Sequence, residues 1–100
     1  MGMIHDKLIH PESIAVIGGS NNLAKPGGKL IKNLTDHHFP GRLYVVNPKE
    51  TLVQGILSFS SISDLPDTDL AILAIPAHFC PENIEILAKE KNTRAFIVIS

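Results

Sequence analysis

Two groups of residues in this chain have the types and spacing to do chemistry. The first is Gly18-Gly19-Ser20-Asn21-Asn22, followed by Lys25, Gly27 and Gly28. Glycines let a backbone approach a ligand closely. The serine and the asparagines offer hydrogen bonds, and the lysine offers charge. Where such a loop leads from a strand into a helix, the helix start adds unpaired N–H groups and partial positive charge, a setting for phosphate or pyrophosphate. The same glycines also suit a turn that only brings strand and helix into close packing. The second group is Asn47-Pro48-Lys49.

Spacing narrows the ligand. A dinucleotide loop needs G-x-G-x-x-G, which the glycines at 18, 19, 27 and 28 do not supply. The P-loop pattern G-x-x-x-x-G-K-[ST] is also missing. An NAD site places an acid after the second strand to hold the ribose hydroxyls. Here Asn47 and Pro48 take that place and Lys49 follows. A lysine meets a phosphate better than a diol, which points to a ligand with an extra phosphate, NADP or coenzyme A. The plainer alternative is that Lys49 is a solvated surface residue and Pro48 only turns the chain.

The remaining reactive side chains form no such pattern. His5, His10, His37, His38 and His78 lack a ligand spacing such as H-E-x-x-H, so no metal is expected. His78 follows a strand-end turn and falls near a ligand bound there, but no acid stands beside it in sequence to orient it for catalysis. Cys80 reads as a small buried hydrophobe at a helix start. Asp64, Asp67 and Asp69 read as cap and turn residues. No carboxylate pair is available for acid–base work, so no catalytic residue is assigned.

These groups must be positioned by regular elements. The apolar run Ile14 to Ile17, closed by glycines, fits a strand covered on both faces. Leu30, Ile31 and Leu34 recur at helical spacing and predict a helix over about 27–37, broken by Pro40 and Gly41. Leu43 to Val46 predicts a second strand. A loop then leads to a short strand from Ile56 to Phe59, and Ser61 to Asp64 has the spacing of a capping box for one helical turn. Leu70 to Ile75 predicts a buried strand. A helix then starts around Pro81, with Ile84, Leu87 and Ala88 as its buried stripe. Ala95 to Ile99 is the last strand. Buried strands alternating with amphipathic helices imply an α/β, Rossmann-like, doubly wound and mainly parallel sheet.

Bulk properties set the frame. The 100 residues suit one domain, 1–100, with 44% hydrophobic and 19% charged residues. A net charge of −1 gives no footprint for nucleic acid. One cysteine makes no internal disulfide, and no run approaches the ~20 apolar residues of a membrane span. A soluble, cytoplasmic protein is expected. The last strand has no helix after it, so the chain reads as C-terminally incomplete, the N-terminal piece of something longer. That strand can pair with another copy or another domain.

Taken in order, "IHPESIAVIGGSNNLAKPGGKLIKNL", "LYVVNPKE", "GILSFSSISDLPDTDLAILAIPA" and "AFIVIS" resemble the CoA-binding domain of ADP-forming acyl-CoA (acetyl-CoA) synthetases, a domain type shared with the alpha subunit of succinyl-CoA ligase. The resemblance covers nearly the whole chain. It implies CoA phosphates on Gly18, Gly19, Ser20, Asn21 and Asn22, with Lys25 nearby. Lys49 of the Asn47-Pro48-Lys49 motif would approach the phosphate end, and Ile75, Pro76 and Ala77 would line the adenine side. Ser100 would begin the family's Ser-Ala-Gly turn. The family's loop usually reads Gly-Ala-Ser where this chain has Gly18-Gly19-Ser20, a mild change. It also implies a phosphorylated histidine in a later domain, and ATP/ADP and Mg in a further domain or partner subunit. Binding carries over to this chain and catalysis does not, because no residue here matches that histidine. A stand-alone CoA or nucleotide-binding regulatory protein and an NADP-binding oxidoreductase domain are the competing expectations.

Overall fold

A computed structural model describes residues 10–99. His5 and Ser100 therefore lie outside the described residues. The sheet is six-stranded: β1 (Ser13–Ile17), β2 (Arg42–Val46), β3 (Leu52–Val53), β4 (Ile56–Phe59), β5 (Leu70–Leu73) and β6 (Ala95–Val98), in the order β3-β4-β2-β1-β5-β6. Every pairing is parallel except β3 with β4. Helix α1 (Pro26–Asp36) joins β1 to β2, and α2 (Cys80–Glu90) joins β5 to β6.

The continuous apolar runs are explained by two cores. All five residues of β1 are buried. Side chains alternate across a strand, so Ile14 and Val16 join Val45, Ile72 and Ile31 of α1 on one face. Ala15 and Ile17 join Val46, Leu73 and Leu87 of α2 on the other. Since α1 and α2 cover opposite faces, the sheet is doubly wound. The chain order reverses at β1, between β2 and β5, and this is where such sheets open a crevice at their carboxyl ends.

The helices begin and end by local chemistry. Pro26 occupies the start of α1, where a missing N–H costs nothing, and Lys25 precedes it in extended conformation. The helix ends before Pro40 and Gly41 are reached. His38 turns left-handed (φ 54°), its N–H donates to the Thr35 carbonyl, and the Phe39 N–H donates to the Leu34 carbonyl. That is a Schellman end, and Leu34 and Phe39 share the core beneath it. At the end of α2, Asn92 is also left-handed (φ 52°), and the Lys91 and Thr93 N–H groups both donate to the Leu87 carbonyl. The buried stripe of α2 differs from expectation at one position: Leu87 is buried and Ile84 and Ile86 pack against the core, while Ala88 is exposed.

The greatest departure lies between β2 and β5. The stretch expected to be a loop contains β3, which pairs with β4 as a two-residue hairpin through Gln54-Gly55. Both turn residues have positive φ, 50° and 83°, as a type I′ turn requires. β5 ends at Leu73, two residues earlier than its apolar run. The turn Ile62–Asp64 is 3₁₀, and only half of the capping box forms. Ser61 accepts from the Ser63 N–H, whereas the Asp64 carboxylate accepts from the Ser60 hydroxyl.

Leu87 is fully buried on the α2 face. Leu87→Ala is expected to cost about 2–5 kcal/mol, the range for an emptied core leucine. The measurement is the urea midpoint at unchanged slope.

Candidate functional site

Three expected segments meet at the carboxyl ends of neighbouring strands. The glycine loop follows β1, Asn47-Pro48-Lys49 follows β2, and Ile75-Pro76-Ala77 follows β5. Hydrogen bonds tie these ends together. The Gly18 N–H donates to the Val46 carbonyl at 3.0 Å, and the Ala74 N–H donates to the Ile17 carbonyl at 2.8 Å. Asn47 Nδ2 donates to the Gly19 carbonyl at 2.9 Å. Its Oδ1 accepts from the Lys49 and Glu50 N–H groups at 2.8 and 3.0 Å. One neutral amide thus braces the first loop and shapes the second, a pair of tasks a carboxylate has no donor to perform.

The glycine loop is compact because side chains are missing where segments touch. Gly18 has φ 88°, and a Cβ on it would lie 2.9 Å from Ile75 Cγ2 and against the Ala74 carbonyl. A Cβ on Gly28 would run into the Asn22 carbonyl oxygen. The polar side chains of the loop are largely engaged within the protein. Ser20 Oγ accepts from the Asn22 N–H, and Asn22 Oδ1 accepts from the Ala24 N–H, each at 2.9 Å. Asn21 donates to the Leu52 carbonyl and accepts from the Gln54 N–H. The backbone N–H groups of Ser20, Asn21 and Leu23 make no hydrogen bond among the described residues. Together with the first turn of α1, they are the donors left for a ligand.

Beside the loop lies a cleft of about 520 Å³. Ile17, Val46 and Pro48 form its sheet side, Ile75, Pro76 and Phe79 one wall, and Ser60 to Ser63 another, with Asn83 of α2 at its edge. Among the expected residues, Pro48, Ile75 and Pro76 line this cleft. Asn47, Pro48 and Lys49 line a smaller neighbouring hollow of about 190 Å³. Ala77 opens a 3₁₀ turn and lines neither. Lys25 and Lys49 are exposed and make no ion pair among the described residues. Cys80 is buried with its thiol toward the Pro76 carbonyl. No cluster of three or more potential metal ligands occurs among the described residues.

A glycine loop with unpaired N–H groups, an apolar cleft and an exposed lysine after β2, where an NAD site carries an acid, now stand together at the carboxyl end of the sheet. The CoA binding domain family profile matches residues 12–100. The chain belongs to that family. It is 37% identical over 94 residues to the ADP-forming acetate–CoA ligase II of Archaeoglobus fulgidus, covering 93% of this chain and 14% of that protein. The alpha subunit of ADP-forming acetate–CoA ligase II from Pyrococcus furiosus is 35% identical over 96 residues, covering 95% of this chain and 21% of the subunit. The fold superposes on the acetyl-coenzyme A synthetase 1 of Ca. Korarchaeum cryptofilum, solved with phosphate and ADP, with a TM-score of 0.87 and 29% identity. That match covers 95% of this chain and 20% of the synthetase chain. The CoA-binding domain thus spans less than a quarter of the length of these relatives. No helix among its described residues is long and apolar enough to cross a membrane.

Sequence reasoning missed Gln54, Phe79 and the serines of the cleft wall. Gln54-Gly55 between two short apolar pairs is the one signal that pointed to a hairpin. Asn47→Asp keeps the acceptor and loses the donor to Gly19, so about 1–3 kcal/mol of stability is expected to go. Thermal unfolding against the native protein measures it, and an unchanged midpoint would remove Asn47 as the brace.

Proposed function

We propose that this chain is the CoA-binding domain, 1–100, of an ADP-forming acyl-CoA synthetase. The observation that carries the reading is the combination at the β2 end: a neutral Asn47 braces the glycine loop, and the exposed Lys49, with no ion pair among the described residues, lines a hollow next to the apolar cleft. CoA has three parts that match it. The adenine ring fits the cleft of Pro48, Ile75, Pro76 and Phe79, with Ala77 next in the chain after Pro76. The pyrophosphate meets Gly18, Gly19 and the turn Ser20-Asn21-Asn22, where the N–H groups of Ser20 and Asn21 are the donors left unpaired, with Lys25 and the start of α1 behind them. The 3′-phosphate meets Lys49.

The domain binds and orients; it supplies no catalytic residue. In the whole enzyme, the acyl group and the thiol meet outside this chain. A phosphorylated histidine in another domain carries the phosphoryl group, and ATP/ADP with Mg occupies a further domain or partner subunit. Ser100, outside the described residues, belongs to the CoA-binding set as the first residue of the family's Ser-Ala-Gly motif. Pairing along β6 gives the other domains, or a second copy, an edge to join. The setting is the cytoplasm, where CoA and ATP are available.

Calorimetric titration with CoA, 3′-dephospho-CoA and NADP tests this. CoA is expected to bind about fivefold more tightly than dephospho-CoA, the size of an exposed charge pair near 1 kcal/mol. Lys49→Ala is expected to make the two equal. Absence of heat with CoA from a folded sample, or tighter binding of NADP, overturns the proposal.

A further inference from the structure

Gln54 lies outside the glycine loop yet touches both of its ends. It is the first residue of the β3–β4 turn and holds a left-handed φ of 50°, a position that favours glycine, asparagine or aspartate. Three hydrogen bonds hold it there. Its N–H donates to Asn21 Oδ1 at 2.6 Å. Its Nε2 donates to the Ser20 carbonyl and to the Gly28 carbonyl, both at 2.9 Å. Asn21 Nδ2 returns a bond to the Leu52 carbonyl at 2.9 Å, which closes a ring between hairpin and loop.

The orientation of the Gln54 amide follows from its partners. Both acceptors are carbonyls, so only the NH₂ end can face them. A single side chain therefore sets the distance between Ser20, at the loop's entry, and Gly28, in the first turn of α1. Those two points flank the unpaired N–H groups of Asn21 and Leu23. Shape held in advance lowers the cost of ordering the loop when an anion binds.

We infer that Gln54 is a positioning residue for the pyrophosphate of the bound ligand, acting through the glycine loop and touching no ligand itself. This rests on the phosphate reading of that loop. Gln54→Gly suits the left-handed turn and removes only the side-chain amide. Gln54→Glu keeps the shape and replaces the NH₂ donor with a carboxylate oxygen that repels both carbonyls.

Three measurements on each variant test it: calorimetry with CoA, NMR titration with adenosine 3′-phosphate, and amide hydrogen exchange without ligand. Both variants are expected to bind CoA roughly tenfold more weakly and to exchange the hydrogen-bonded amides of Asn22, Ala24 and Lys25 at least tenfold faster. Adenosine 3′-phosphate, which lacks the pyrophosphate, is expected to bind as it does to the native protein. Native-like CoA binding, or equal losses for both ligands, overturns the inference. Where the native protein itself binds no CoA, the phosphate reading falls. Exchange alone then decides the clamp, and native-like exchange in Gln54→Gly overturns it.

Discussion

Everything at the carboxyl end of the sheet depends on a close crossing at Gly18. Its N–H is held by the β2 end through Val46, and its α-carbon faces the Ala74 carbonyl at the β5 end with no room for a side chain. The loop then folds back so that α1 can start directly beneath it. A left-handed residue at Gly18 turns the chain away from β1 before it would extend past its neighbours. Without that turn, α1 could not bring Ile31 over Val16 and Val45, and the α1 core would lose its centre. Packing on one face and ligand geometry at the strand ends are thus consequences of a single backbone constraint.

The elements that were legible in the sequence are those whose burial is uniform along the chain. β1 and β5 read correctly because both faces of each are covered, and no polar residue interrupts them. α1 and α2 read correctly from their apolar spacing. What stayed hidden depends on contacts between distant segments. β3 has two residues, too few to display a period, and it exists because β4 and Asn21 satisfy its backbone. The clamp on the loop comes from a residue 34 positions away from Ser20, and no local pattern reports such a partnership. Ala88 and Ile86 exchanged roles for a smaller reason. They are two residues apart on α2, and apolar spacing alone does not decide which side of the stripe meets the core.

Of the candidate site, the backbone was more legible than the side chains. The glycines, Asn47 and the Ile75-Pro76 turn are where the sequence placed them, because chain turning requires those residue types. The serine and asparagines of the loop had looked like ligand donors. Most of their hydrogen-bonding capacity is spent on shaping the loop, which leaves main-chain N–H groups as its unpaired donors. An anion suits such a site, since amides in a fixed loop attract charge without having to be desolvated one side chain at a time.

The hairpin also accounts for the shape of the crevice. In a doubly wound sheet, a helix usually carries the chain between neighbouring parallel strands. Between β2 and β4 the chain instead makes a tight excursion through β3, pairing antiparallel to β4. A helix there would lie across one face of β2 and β4. The hairpin keeps the connection in the plane of the sheet, and β4 runs on through Ser60 into the 3₁₀ turn that forms the far wall of the cleft. The same excursion brings Gln54 to the underside of the glycine loop. One change of connection therefore opens the apolar side of the site and stiffens its polar side. Both effects come from one short stretch, in which Gln54 contacts the glycine loop and Ser60 to Ser63 line the cleft.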